Sequence, residues 1–336
     1  MSRRKSSILL PFNLNATKTV NQTDENATAL RTTIKTPQFK TPANRRRRTV
    51  VEIVEPELDE NDLEEFEDLK RKMWSVYRVS DLNSFDHTKP TTFPRYGRIL
   101  SRYLVSSFST QAVTLQAKFV LKPDIQGFDQ EDLPVHIKVE DVQLSQPRLV
   151  YEGLLLSARK SEESKADGVV HLPVLLARGP LSVRDKVHHC LSAVFSSSIN
   201  EVSFPTDDMH WMIAAWSGFI NESRNNKEVS FMYGIPSRTD TIQCQYSVNF
   251  IKDLWSCIHD MDNRDVELSE VKRFYSSLIK HTANTVGLNL TNAPLIMYKT
   301  PDFELHTVGK VKVNTLEFIP RILHFIADLC EKKLET

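Results

Sequence analysis

Between Phe93 and Ser107, the stretch FPRYGRILSRYLVSS puts Tyr96, Ile99, Leu100, Tyr103 and Leu104 on one side of a helical projection. Such an arc predicts a helix resting on a core. Arg95, Arg98 and Arg102, spaced i, i+3 and i+7, fall on the opposite side. The same spacing in NDLEEFEDLKRKMWSVYRV, with Leu63, Phe66, Leu69, Met73, Trp74 and Tyr77 as its apolar set and Asn61 and Glu64 as a capping box, predicts an earlier helix. The period then changes to two. Val113, Leu115, Ala117 and Phe119, then Val135, Ile137 and Val139, alternate with polar residues, and the more continuous RLVYEGLLL follows. These are predicted strands of an antiparallel sheet, the last the most buried.

The second half repeats the mixture. A helix is predicted near Val183 to Phe195, capped by Ser182 with Asp185 three positions on. In DDMHWMIAAWSGFI, the residues Met209, Met212, Ile213, Trp216, Phe219 and Ile220 form one apolar arc, while Trp211 lies across from it with Ala214 and Gly218. Apolar on both sides, this helix is expected to be central scaffold, with Met212 and Trp216 on the sheet and another helix of the chain over Trp211. Strands at EVSFMYGI and TIQCQYSV precede helices at VNFIKDLWSCIHD and LSEVKRFYSSLIKHTANTVG. Strands at APLIMYK, DFELHT and GKVKV lead to a last helix that ends near Lys333 and holds Pro320 in its first turn. Strands fall in groups and do not alternate strictly with helices, so the fold class is α+β, a large, mainly antiparallel sheet flanked by helices. Residues 59–200 and 201–336 are read as the two parts of one continuous folded unit.

Two features of the C-terminal end point to association. Val311 and Val313 face one way and Lys310 and Lys312 the other, which suits an edge strand guarded by charge and open to a partner's strand. The last helix carries Ile319, Ile322, Leu323, Phe325, Ile326, Leu329 and Cys330 over more than half its circumference. Either its own sheet encloses it or a partner covers the excess.

Charge changes the picture at the N-terminus. The chain is neutral overall, with 43 basic and 43 acidic residues, but residues 1–50 carry eleven basic and two acidic groups, a balance of +9. Residues 51–70 reverse it with ten acids against Lys70, a balance of −9. Residues 1–58, poor in aromatics, are expected to form a disordered basic tail. Within it Thr36-Pro37 and Thr41-Pro42 are minimal proline-directed phosphorylation sites beside Lys35, Lys40 and Arg45 to Arg48. Phosphates there would largely cancel the basic patch. The arginine run reads as a nuclear-import or nucleic-acid segment.

Signatures of catalysis are missing. With nine glycines the chain has few places for backbone to cradle a ligand, and no phosphate loop, nucleophile elbow, dinucleotide fingerprint or H-E-x-x-H occurs. DMDNRDVELSE fails as a calcium loop, because Arg264 stands where an oxygen ligand belongs and Asp265 where glycine makes the turn. Cys190, Cys244, Cys257 and Cys330 lie far apart, which indicates neither a zinc site nor a disulfide framework and suits a reducing compartment. His188 and His189 beside Cys190 are read as two surface imidazoles next to a core thiol. No apolar run approaches a membrane span. Neither cofactor, metal, membrane nor small-molecule substrate is expected. Arg95, Arg98 and Arg102 are spaced to meet successive phosphates of a nucleic acid, or form an ordinary solvated face.

LKRKMWSVYRVSDL followed by YGRILSRYLV, then WMIAAWSGF, then GKVKVNTLEFIPRILHFIADL, in this order and at these separations, resemble the centromere protein L family of inner-kinetochore subunits. The resemblance covers roughly residues 60–332, and KSSILLPF in the tail is similar to a short Ser-rich apolar patch of that family. It implies a saddle-like sheet shared with centromere protein N, no enzymatic activity and a place in the nucleus at the centromere and kinetochore. It further implies heterodimerisation with centromere protein N through the C-terminal sheet, where Lys310, Val311, Lys312, Val313, Leu316 and Phe318 fall. The pair is expected to bind centromeric nucleosomes, with a groove for DNA, and to meet other inner-kinetochore subunits. An alternative is a homodimeric nucleic-acid-binding protein that uses the same C-terminal edge on a second copy, and a third reading is an enzyme whose motif goes unrecognised.

Overall fold

The computed structural model describes residues 8–9, 50–52 and 66–332, apart from 87–88, 109–113, 123–124, 126–131, 144–145, 158–168, 221–226, 237–239 and 261–264. Thr36, Thr41 and the Asn61–Glu64 capping box lie outside the described residues.

In chain order the strands are β1 (Ile8–Leu9), β2 (Val50–Glu52), β3 (Met73–Val79), β4 (Leu82–Asn83), β5 (Leu115–Leu121), β6 (Val135–Asp141), β7 (Arg148–Leu156) and β8 (Val169–Val170). They continue with β9 (Val174–Arg178), β10 (Ile199–Glu201), β11 (Glu228–Gly234), β12 (Thr241–Ser247), β13 (Asp265–Glu267), β14 (Leu295–Lys299), β15 (Phe303–His306) and β16 (Lys310–Val313). The helices are α1 (Phe93–Ser107), α2 (Leu181–Phe195), α3 (Thr206–Gly218), α4 (Val248–Ser256), α5 (Leu268–Val286) and α6 (Ile319–Lys332). The fold is α+β. One 12-stranded sheet runs β1-β12-β11-β14-β15-β16-β3-β9-β7-β6-β5, with β10 also beside β3. All its pairs are antiparallel except β1 with β12.

The helix expected across Met73 to Val79 is instead the central strand β3. Its sequence MWSVYRV is rich in residues that suit a pleated surface, and it is buried from both sides: Trp74 and Val76 face one core, Tyr77 and Val79 the other. A strand with two buried faces has apolar residues at i, i+1 and i+3, and that set also fits a helical arc. The α2 boundary differs as well, since the cap position is Pro180 and no side chain caps the helix, so Ser182 does not.

Helices pack on opposite faces of the two ends. On one face α1 and α2 bring Tyr96, Leu100, Leu104, Val187 and Leu191 against Phe119, Ile137, Leu155 and Leu175. On the other, α3 to α6 meet Phe231, Tyr298, Leu305, Val311, Trp74 and Leu154. In the middle, β3, β9 and β7 carry side chains into both cores, which accounts for the continuous apolar run RLVYEGLLL. The last helix is enclosed by its own chain: Ile319, Ile322, Leu323, Ile326, Leu329 and Cys330 are all buried, and Phe325 meets Phe204 at 6.0 Å.

The tryptophan helix α3 is central as expected. Trp216 is buried and its indole N–H donates to Asp302 Oδ2 at 2.8 Å. The side bearing Ala214 and Gly218 is met by α4, whose Trp255 Nε1 lies 3.7 Å from where a Cβ on Gly218 would stand. Trp211 is half-buried against the same core.

Candidate interaction surface

Opposite the α3–α6 core, the C-terminal end of the sheet presents two cross-strand rows. One runs Gln245, Ser230, Lys299, Glu304, Lys312 and Met73; the other runs Gln243, Met232, Met297, His306, Lys310 and Ser75. Alternation along each strand sends these side chains away from the core that holds Phe231, Tyr298, Leu305 and Val311. All but Ser230 and Met297 are half-exposed or exposed. The surface mixes three methionines with three lysines. Met73 and Met232 supply adaptable apolar area, with Met297 buried beside Met232, while Lys299, Lys310 and Lys312 supply cations. Glu304 Oε1 lies 2.7 Å from His306 Nε2, and that bond holds the Glu304 carboxyl below the usual carboxylate range. At its inner border the face is met by α2, whose Arg184 donates to Ser75 Oγ at 2.6 Å.

Lys310–Val313 is not an edge. The strand β16 pairs with β15 on one side and β3 on the other, so its backbone has no row of free N–H and C=O groups for a partner's strand. The alternation of valine and lysine arises because one face of a central strand is open, a pattern identical to that of a guarded edge. Val311 and Val313 are buried, Lys310 and Lys312 look out from the open face. In the turn Leu316–Phe318, Leu316 is half-exposed and Phe318 is buried. The true ends of the sheet are β5 and the β12–β1 pair.

Arg95, Arg98 and Arg102 are all exposed on the outer face of α1. Arg98 Nε donates to Pro94 O at 3.3 Å. Register continues the open face through Ser75, Ala177, Gly153, Ile137 and Phe119 onto the surface that α1 and α2 cover. The arginine-bearing helix therefore stands on the same side of the sheet as Lys299, Lys310 and Lys312.

One cluster has no counterpart in the sequence pattern. Glu152, 2% exposed, meets His136 Nε2 at 3.1 Å, Lys72 Nζ at 3.4 Å and Arg178 at 3.6 Å. Burial raises the pKa of this carboxyl, but the bond to His136 and the charges of Lys72 and Arg178 outweigh it and hold it low. Lys72 and Arg178 also stand over the Trp74 ring, at 5.9 and 6.0 Å. The groups come from four separate strands or their flanks, so no local pattern announces them. The cluster lines a small cavity with Asp68, Leu69, Lys122, Ile125 and Leu154. Its one carboxylate is shared by Lys72, Arg178 and His136, which ties four strands together.

His188 corrects another expectation: it is a buried residue, lying between Tyr77 at 4.4 Å and Tyr151. Burial pushes its pKa down to about 4. His189 is exposed and stacks on Tyr103, and Cys190 is buried. Among the described residues no group of three or more His, Cys, Asp or Glu is placed to share a metal ion. No described helix is long and apolar enough to cross a membrane.

Residues 68–331 match the family model of centromere protein L. The chain belongs to the centromere protein L family. The match spans the helix with the three arginines, the open face and the last helix. Among curated relatives, centromere protein L of Xenopus tropicalis is 22% identical over 285 residues, covering 80% of this chain and 80% of that protein. Centromere protein L of Danio rerio is 21% identical over 288 residues, 80% of this chain and 77% of that protein. The Homo sapiens protein of that name is 21% identical over 285 residues, 80% and 81% of the two chains. Membership of this family carries a role at the centromere.

Proposed function

We propose that the chain is a non-catalytic inner-kinetochore subunit that docks centromere protein N on the open face of its C-terminal sheet and supports centromeric nucleosome DNA with Arg95, Arg98 and Arg102. The open face carries this reading: methionines for apolar contact and lysines for orientation, on a rigid floor of six strands from β12 to β3. The role assigned to Lys310 and Lys312 is side-chain contact, with Leu316 beside them. Val311, Val313 and Phe318 act from behind by holding that floor. Arg95, Arg98 and Arg102, set on the same side, are placed for phosphate contact when the partner is in position. Nuclear residence at the centromere and kinetochore, and contacts with other inner-kinetochore subunits, belong to this reading. Phosphate on Thr36 or Thr41 would reduce the tail's positive charge and weaken its hold on nucleic acid.

The test mixes full-length chain with centromere protein N and weighs the complexes by light scattering. A 1:1 heterodimer is expected, and Met232→Asp with Lys310→Glu should raise its Kd at least about tenfold, equivalent to about 1.4 kcal/mol, with the melting temperature of the isolated chain nearly unchanged. Undiminished binding by that variant would move the interface elsewhere. Persistent homodimers with no heterodimer would favour a self-associating nucleic-acid-binding protein.

A further inference from the structure

The two ends of the sheet are protected differently. At one end β5, LQAKFVL, places Lys118 in mid-strand, and a charge there discourages a second sheet from pairing. At the other end β12, TIQCQYS, contains no charged residue, no proline and no glycine. It is seven residues long, half-exposed over Thr241 to Tyr246, and has none of the usual devices that blunt an edge. What stands against it is β1: Ile8 pairs with Ile242 and Leu9 with Gln243, in parallel. This is the only parallel pair of the sheet among the described residues.

We infer that the edge of β12 is an acceptor for an extended apolar strand, and that its occupant is the chain's own N-terminal segment at Ile8–Leu9. The segment SSILLPF is a short apolar run in a polar, basic tail and ends at Pro11, which suits a strand that stops after a few residues. The chain is long enough for the connection. The chain returns to the fold at β2, whose Val50–Glu52 pairs with β13. β13 leads directly into α5, and α5 packs on α4, which follows β12 without a break. Forty residues separate Leu9 from Val50, far more than needed between neighbouring elements at roughly 3.3 Å or more per extended residue. A tethered strand reaches the edge at an effective concentration on the order of millimolar. At micromolar protein it therefore outcompetes the same segment of a second copy about a thousandfold. Two paired residues cover Ile242 and Gln243 and leave Cys244 to Ser247 paired on the β11 side alone among the described residues. The strand caps the edge without sealing it, and a longer strand can displace it. This inference concerns the isolated chain and stands apart from the docking of centromere protein N.

The experiment places Leu9→Cys and Gln243→Cys in the full chain, in a Cys244→Ala, Cys257→Ser background that removes the two accessible thiols. Under mild oxidation an intramolecular link is expected to form at least about tenfold faster than in a control carrying Val20→Cys in place of Leu9→Cys, at a rate unaffected by tenfold dilution. Equal rates for both pairs would overturn the inference, as would a link formed only between chains. In parallel, removing residues 1–12 should speed hydrogen exchange of the outward-facing Gln243 amide about tenfold, with Ile242, whose N–H faces β11, and β11 itself unchanged, and should raise self-association in sedimentation. Leu9→Pro in the full chain gives the same readout if the truncated chain does not fold. Unchanged exchange in both variants would show that the edge is uncapped.

Discussion

Asp302 shows how a single buried charge ties distant parts of this fold together. Its two carboxylate oxygens accept from the indole of Trp216 and the hydroxyl of Thr315, each at 2.8 Å, and its carbonyl accepts from Asn314 N. Removing the carboxylate leaves the buried Trp216 N–H without an acceptor, while the half-exposed Thr315 hydroxyl can turn to water. Asp302→Ala should therefore destabilise the chain by about 1–3 kcal/mol in urea unfolding, a larger effect than Asp302→Asn, which keeps an acceptor. Trp216 is legible from helical spacing alone, but its partner lies 86 residues away in sequence, and no local pattern points to it. His188 supplies a second test. Its folded pKa, about 4, lies below its ordinary 6.5. The unfolded chain thus binds a proton first as pH falls, and stability declines between pH 6.5 and 4, by about 3 kcal/mol for this group. Glu152, held low by its cations, adds a decline in the same direction, but at pH values below the ordinary carboxylate range. Melting curves of His188→Gln should show a shallower fall between pH 6.5 and 4 than the parent; an equal slope would locate the titration elsewhere.

Periodicity identifies an element's type in most of the chain, including the doubly buried α3 and β7, but it does not record which strands lie alongside. Helix α1, with Tyr96, Leu100 and Leu104 inward and three arginines outward, matches its amphipathic pattern nearly to the residue. Strand β5 follows period two from Leu115 on, as expected, with Val113 outside the described residues, whereas in β6 the polar position His136 is buried as well. By contrast the pattern of β3 fits a helix and that of β16 an edge, and in both cases the missing information is which strands lie alongside. Neighbours decide whether an alternating Val-Lys-Val pattern means an edge or an open face, and neighbours here come from opposite ends of the chain. Val311→Pro discriminates. On an edge with its N–H toward solvent a proline is tolerated. In β16, paired on both sides, it removes a ladder bond and imposes its own φ, at a cost of about 3 kcal/mol or more. We expect the isolated subunit to unfold at clearly lower temperature, before any partner is added. The hairpin beside it is equally unforgiving, because Gly309 has φ +69° and a Cβ there would stand 1.7 Å from Val202 O.

For the molecule as a whole, the α+β class and the family are legible, the first from periodicities and the second from four stretches spread along the chain. The open face is not, because it is defined by the lack of any element packed on it among the described residues. Its placement beside the α1 arginines leads to a prediction for the assembled complex. Replacing Arg95, Arg98 and Arg102 with alanine should weaken DNA binding and lower the slope of log K against log salt by roughly 0.9 for each phosphate that is no longer neutralised. A slope equal to the parent's would mean that the helix face is merely solvated.

The seating of β3 between β9 and β16 has a consequence for the life of the protein before it is finished. As the chain leaves the ribosome, Met73 to Ser75 can find Ala177 and its neighbours, but the strand that closes their other side, Lys310–Val313, is made more than two hundred residues after them. Until then the partly built sheet ends in an apolar strand carrying Trp74 and Val76, the kind of surface that draws chaperones and slows maturation. A chain that stops before Lys310 is thus incomplete in the centre of its sheet.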